Sequence, residues 1–175
     1  MPSGILRFLA TLWVACFMTC HSAWAEDTEL TQVQAAYVFN FIKFTTWPAV
    51  TPENKPLRIR ILQNPAMAKA MTDAPEQSIH NRPLEIRNCN TAVELVDADL
   101  VFIPAKAASS LSQETWDSFG PTTMVVSDWE NVLSKGGTAQ LLTMGGKVRF
   151  AFNLKRSKGL NVSSKLLRLA TEVTE

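Results

Sequence analysis

Apolar positions in the stretch AAYVFNFIKFTTWP, residues 35–48, recur at the spacing of a helix. Five aromatic side chains fall within it: Tyr37, Phe39, Phe41, Phe44 and Trp47. Tyr37, Phe41 and Phe44 are four and three residues apart, which places them on one face of a 3.6-residue period. Alternation at 37, 39 and 41 also fits a short strand, but the length of the pattern favours a helix over residues 28–45. Pro48 bounds this helix, because the residue before a proline disfavours helical geometry.

The apolar runs that follow predict further strands and helices. Strands are predicted at residues 57–62, 83–88, 98–104 and 122–128, and helices at residues 65–71 and 109–120. The run at 98–104 is continuously apolar, which is typical of a strand covered on both faces. Ser127 or Asp128 is expected to cap a short helix after the last of these strands.

The C-terminal part of the chain predicts a hairpin and a last helix. Two apolar runs within residues 136–154 are joined by Met144-Gly145-Gly146, a typical hairpin connection. Ser163 or Ser164 can begin a helix whose leucines, including Leu169, face the core. The order of elements predicts an α/β domain of three αβα layers with about five helices. Its sheet is expected to hold about six strands, mostly parallel, with an antiparallel C-terminal hairpin.

The first 25 residues have the pattern of a secretory signal. Arg7 gives a positive start, Phe8 to Met18 is an apolar run, and Ala23-Trp24-Ala25 resembles a cleavage site. The apolar run is shorter than the ~20 residues of a typical transmembrane helix. We therefore expect a cleaved leader at residues 1–25, followed by a single exported domain at residues 26–175. An uncleaved membrane anchor is the alternative.

Loss of this leader changes the charge and the cysteine count. Arg7 leaves with it, so the remaining chain carries 16 acidic residues and an equal number of basic ones. Such a balance argues against nucleic-acid binding, which needs clustered positive charge. Cys16 and Cys20 leave as well, and Cys89 alone cannot form an intramolecular disulfide. Cys89 is then either buried and inert, or exposed and able to link chains or respond to oxidants.

The sequence offers little for catalysis. His80 is the one histidine after the leader, and with Cys89 it does not make the four-ligand set of a typical zinc site. The chain has no phosphate-binding glycine loop and no nucleophile-elbow motif. An exposed loop position for His80 is far more common than a catalytic one. We predict a protein that is not an enzyme and needs no cofactor or metal.

Polar residues at the ends of the predicted strands could still bind a small molecule. In parallel sheets, ligands usually sit beyond the carboxyl ends of the strands. Asn64, Lys106, Ser127 and Asp128 follow such strands and could line a pocket. Helix caps and turn residues are the alternative interpretation of all four.

The closing segment SSKLLRLA, residues 163–170, combines leucines with two cations. Lys165 and Arg168 are three residues apart and share one polar face of a helix. They belong either to a solvated face or to a basic edge suited to a protein contact.

Both segments resemble signatures of the YfiR-like family of periplasmic proteins. The N-terminal signature of that family is matched by Ala35, Ala36, Phe39, Asn40, Phe41, Lys43, Phe44, Trp47 and Pro48. The C-terminal signature is matched by Asn153, Leu154, Gly159, Leu160 and the run from Ser163 to Ala170, whereas Phe152 falls one residue late. Between them, LVFIP at 100–104 and VVSD at 125–128 resemble the buried strands of the family, so the resemblance covers the whole exported domain.

The resemblance implies a regulator that is not an enzyme. Well-understood members bind the periplasmic sensory part of an inner-membrane diguanylate cyclase and repress cyclic di-GMP synthesis, and biofilm and exopolysaccharide output follow. An outer-membrane lipoprotein can draw such a repressor away. Many members carry a cysteine where this chain has Ala98, along with others that pair, so a disulfide switch of that kind is not open to this chain.

We therefore expect two faces of the first helix to have different roles. Tyr37, Phe41 and Phe44 are expected against the sheet, and Phe39, Lys43 and Trp47 on another face or at its margin. We expect a core helix first and a partner surface second, the latter formed by Phe39, Lys43 and Trp47 with Lys165 and Arg168. The oligomeric state stays open, with a homodimer among the options.

Overall fold

The computed structural model describes residues 28–48 and 55–174, so the predicted leader at 1–25 lies outside the described residues. The helices in this part of the chain are α1 (residues 28–43), α2 (Pro65–Thr72), α3 (Ala105–Ala108), α4 (Gln113–Ser118) and α5 (Ser164–Leu167). Single 3₁₀ turns lie at Ala92–Leu95 and Leu154–Ser157. The strands are β1 (Thr45–Thr46), β2 (Leu57–Leu62), β3 (Ser78–Ile79), β4 (Arg82–Cys89), β5 (Leu100–Ile103), β6 (Met124–Ser127), β7 (Ala139–Met144), β8 (Lys147–Asn153), β9 (Asn161–Val162) and β10 (Glu172–Thr174).

Eight of these strands form one sheet in the order β10-β8-β7-β6-β5-β2-β4-β3. The five strands from β4 to β7 run parallel, while β8 returns antiparallel to β7 through a hairpin. The predicted α/β class, mostly parallel sheet and C-terminal hairpin are confirmed. The expected count of about six strands is too low, because β1, β3, β9 and β10 are two or three residues long. Strands that short show no periodic pattern.

Both faces of the sheet are covered, which gives the predicted three layers. Leu100 and Phe102 of β5 face the core shared with α1 and α2. Val101 and Ile103 of the same strand face a second core with α3 and α4. The continuously apolar run of β5 is thus buried on both sides, as expected for a central parallel strand.

Ion pairs link neighbouring strands at one side of the sheet. Arg60 of β2 is buried and donates to the Glu85 carboxylate on β4 at 2.9 Å. Arg82 of β4 donates to Asp99, just before β5, at 3.2 Å. A buried cation needs such partners, because removing one would leave an uncompensated charge. These pairs therefore connect the neighbouring strands β4, β2 and β5.

Helix α1 packs Tyr37 and Phe41 on the hairpin strand β8. Phe41 is fully buried, and its ring meets Phe150 edge-on at a centroid distance of 5.1 Å. Phe152 lies 6.4 Å from the same ring, also edge-on. Edge-to-face pairs of this kind add to the stabilisation that comes from burial alone. Phe41 therefore occupies the core position that its spacing predicted.

The expected division of the other aromatic residues is wrong. Phe39 and Trp47 are buried, whereas Phe44 is 37% exposed. Phe39 is buried because α1 packs on α2 as well as on the sheet, so more than one of its faces is covered. The helix ends at residue 43, and helical spacing therefore does not apply to Phe44 and Trp47.

Three other predicted helices differ from the structure. The segment 109–120 holds only α4, and Ser112 caps it by accepting from the Thr115 N–H. The residues after Asp128 form turns, because the Asp128 carboxylate instead accepts from the Ala105 N–H at 2.6 Å, at the start of α3. The last helix ends at Leu167, and a hydrogen bond from the Thr171 N–H to the Phe150 carbonyl leads the chain into β10.

Replacing Phe41 with alanine should lower the free energy of unfolding by ~3–5 kcal/mol, the usual cost of emptying a buried phenylalanine site. Phe44→Ala is the matched control, and its partly exposed side chain should cost about 1 kcal/mol or less. Urea denaturation of both variants measures the difference. Equal losses would contradict the assignment of the buried face of α1.

A candidate protein-interaction surface

The structure brings the two signature segments together at one place. Strands β1 and β9 form a two-stranded antiparallel sheet that pairs Thr45 with Val162. The Ser163 N–H donates to the Phe44 carbonyl at 2.8 Å and extends this pairing towards α5. The end of α1 and the start of α5 are therefore neighbours, although more than 100 residues separate them in the sequence.

Both segments also pack on the same turn of backbone before β6. The Trp47 indole N–H donates to the Thr122 carbonyl at 3.0 Å. Gly159 approaches so closely that a Cβ there would lie 2.5 Å from the Pro121 carbonyl oxygen. Trp47, predicted to contact a partner, is thus a buried anchor that fixes this junction.

Exposed cations and apolar side chains flank the junction. We define the junction surface as Lys43, Phe44, Lys165, Arg168 and Leu169, all of which are exposed. Lys43 forms an ion pair with Glu76. Lys165 and Arg168 have no ion pair within residues 28–48 and 55–174.

Leu169 was expected in the core but is 69% exposed. The helix ends two residues earlier, at Leu167, so helical spacing does not extend to Leu169. Leu166 is buried and Leu167 is half-buried, which agrees with the expectation for those two leucines. No sequence signal separated Leu169 from its neighbours, because the end of the helix has no glycine or proline to mark it.

The predicted strand-end residues make mostly local hydrogen bonds. Asn64 caps α2 by accepting from the Met67 N–H at 3.0 Å. The buried Ser127 hydroxyl accepts from the Trp129 N–H, and Asp128 accepts from the N–H of Ala105. The Lys106 side chain is exposed on α3. Two grooves that run along α1 include none of these four, so a small-molecule site here stays a prediction.

The sequence that forms α1, the hairpin and α5 matches a known protein family. A family model described as YfiR/HmsC-like matches residues 31–171, from within α1 to just before β10. The chain belongs to the YfiR/HmsC-like family. No curated protein matches the chain significantly.

The YfiR/HmsC-like family is periplasmic and regulatory rather than catalytic, and its members act through contacts with a protein partner. In the described part of this member, no helix is long and apolar enough to cross a membrane. The same residues contain no cluster of three or more histidine, cysteine or acidic side chains that could hold a metal. Because members of this family act through contacts with a protein partner, the exposed junction surface is the site to consider for one.

Cys89, the cysteine of this family member outside its predicted leader, is buried at the end of β4. Its thiol lies 3.7 Å from the Glu94 carbonyl oxygen. Burial raises the pKa of the Cys89 thiol, and the nearby Glu94 carboxylate raises it further. Since a thiolate is the reactive form, Cys89 is a structural thiol here, the first of the two alternatives that the sequence left open.

Burial of Cys89 predicts a pH dependence of stability. Because the pKa is raised in the folded state, the unfolded chain loses this proton first as pH rises above ~8.5. The contribution of Cys89 to stability is complete below that pH and falls on the alkaline side. Urea unfolding from pH 7 to 10 should therefore show that the difference in free energy of unfolding between wild type and Cys89→Ala becomes smaller as pH rises. A difference that stays constant or grows would contradict this sign.

The close approach at Gly159 makes a second prediction. Gly159→Ala should lower the free energy of unfolding by ~1–3 kcal/mol, the usual cost of an overpacked site, since its Cβ would meet rigid backbone. Gly120→Ala is the control, because nothing lies within 4 Å of a Cβ there. Thermal unfolding of the two variants makes the comparison, and an unchanged Tm for Gly159→Ala would rule out the packing role.

Proposed function

We propose that the protein is exported to the periplasm by its leader at residues 1–25. There it binds and represses the periplasmic sensory region of an inner-membrane signalling protein, a diguanylate cyclase. Repression lowers cyclic di-GMP and with it biofilm and exopolysaccharide output. The observation that carries this proposal is the meeting of both family signature segments at one exposed surface that combines cations with apolar side chains.

Repression of this kind requires only binding. A partner that exchanges between an active and an inactive state is held inactive by a protein that binds the inactive state more tightly. Each tenfold difference in affinity shifts the equilibrium of the partner by about 1.4 kcal/mol. An outer-membrane lipoprotein that competes for the repressor would reverse the shift, because it lowers the amount of repressor bound to the partner.

The junction surface suits such a contact. Leu169 and Phe44 offer apolar area, and charged residues flank them. Lys165 and Arg168 would steer an acidic surface of the partner towards it and raise the association rate. Trp47 anchors the junction beneath this surface, whereas Phe39 is buried against α2.

The experiment compares two double charge reversals in a strain that lacks the gene. Lys165→Glu with Arg168→Glu changes the junction surface, and Lys135→Glu with Lys155→Glu changes two other exposed cations equally. Deletion should raise cyclic di-GMP, and the control variant should restore the low level. We expect the junction variant to fold normally but to repress cyclic di-GMP at least tenfold less effectively than the control variant.

Binding is measured with the purified periplasmic sensory region of the diguanylate cyclase whose output rises on deletion. The junction variant should lose at least roughly tenfold in affinity relative to the control variant, as expected when two contacts become repulsive. Unchanged cyclic di-GMP after deletion, in cells that make the protein, would overturn the proposal. Equal repression by both variants would instead move the contact away from the junction surface.

A further inference from the structure

A groove of about 720 Å³ lies at the other end of α1, between that helix and the hairpin. Leu30, Val33 and Tyr37 line one wall, and Lys147, Val148 and Arg149 of β8 line the opposite wall. Its volume falls within the ~300–1,000 Å³ range of ordinary ligand sites. The junction surface and the strand-end residues take no part in it.

One wall of the groove is an open strand edge. On its outer side β8 pairs with β10 only at residues 151–153, so no strand within residues 28–48 and 55–174 lies beside residues 147–149 there. The two-residue turn makes Met144 and Lys147 a hydrogen-bonded pair of β7 and β8. Backbone N–H and C=O groups alternate in direction from one residue to the next along a strand, so those of Val148 point away from β7. The Tyr37 hydroxyl donates to the Val148 carbonyl at 2.7 Å. In the described part of the chain no strand faces the outward Val148 N–H, which leaves a donor for an added one.

The wall beneath α1 is lined by Leu30, Val33 and Tyr37 together with Glu29, so it favours apolar side chains and disfavours acidic ones. Leu30 is half-buried, and Val33 is 38% exposed. An extended segment beside β8 would place the side chain opposite Val148 under this overhang, because facing residues of paired strands project to the same side.

Two cations on β8 determine which side chains of an added segment would fit on either side of Val148. Lys147 and Arg149 are exposed, and neither forms an ion pair within the described residues. They flank Val148 and project to the other face of the strand. Side chains directly opposite them on an added strand would lie close enough to interact, and opposite charges there are stabilising. The edge therefore matches a segment in which acidic and apolar residues alternate.

A second copy of the chain fits this edge poorly. Antiparallel pairing of two copies about Val148 would place Lys147 of each directly opposite Arg149 of the other. Like charges in that position are destabilising. The same pair of cations that suits an acidic segment opposes self-association.

We infer that the groove between α1 and β8 binds an extended acidic–apolar segment of a protein partner, which adds to β8 as a strand. The main chain of the segment accepts from the Val148 N–H, its apolar side chain packs on Leu30 and Val33, and its flanking acids pair with Lys147 and Arg149. This inference deepens the proposed function and rests on it for the source of the segment.

The test uses two blocked eight-residue peptides, one alternating Glu and Val and the other alternating Lys and Val. We expect fluorescence anisotropy to show binding of the Glu–Val peptide and at least tenfold weaker binding of the Lys–Val peptide. Hydrogen exchange followed by NMR should show that the Val148 amide becomes protected in the complex. Binding without that protection would overturn strand addition, and so would an absence of binding.

Charge exchange provides the matched variants. The variant Lys147→Glu with Arg149→Glu should bind the Lys–Val peptide more tightly than the Glu–Val peptide. The variant Lys135→Glu with Lys155→Glu should prefer the Glu–Val peptide, as the wild type does. Equal affinity of both peptides for wild type would overturn the charge assignment. Self-association in sedimentation that the first variant alone abolishes would make a second copy the occupant and overturn the inference.

Two outcomes separate this inference from the proposed function. Peptide binding with Val148 protection, together with unchanged cyclic di-GMP after deletion, would uphold the groove and reject the cyclase as partner. Raised cyclic di-GMP after deletion, without any peptide binding, would uphold repression and reject the groove.

Discussion

The packing of α1 on strand β8 is the contact on which the rest of the molecule depends. Phe41 joins the helix to Phe150 and Phe152, and the Tyr37 hydroxyl joins it to the backbone of the same strand. The hairpin is thereby fixed against an element that precedes it by about 100 residues. Once α1 is placed, its C-terminal end meets β9 and α5, and its N-terminal half overhangs the free edge of β8.

The sequence predicted those elements whose pattern is long enough to be periodic. The boundaries of β2 match the alternating run LRIRIL, and the hairpin follows from a double glycine whose residues both have positive φ. It failed where the chain leaves a helix without a glycine or proline. Phe44 and Leu169 were both assigned by helical spacing to the core, and both lie just past the last helical residue, where the chain turns outward.

The sequence predicted the exposed cations of the candidate surface but not the residues that pack beneath it. Lys43, Lys165 and Arg168 are exposed, as cations on polar faces usually are. Trp47 and Gly159 look like functional signature residues in the sequence, yet the structure gives both a packing role on the turn at Pro121 and Thr122. That role depends on a contact between segments distant in the chain. Spacing along one segment carries no information about it.

The two surfaces lie at opposite ends of one rigid helix. Ten residues separate Val33 from Lys43, which is about 15 Å along a helix at ~1.5 Å per residue. One partner could engage both with two segments, and the second contact would then form at the high effective concentration set by the first. Such a two-point attachment is tight when both contacts form and weak when either is removed. A competitor for one surface alone would then suffice to release the protein from such a partner, without any covalent change in a chain whose described thiol is buried.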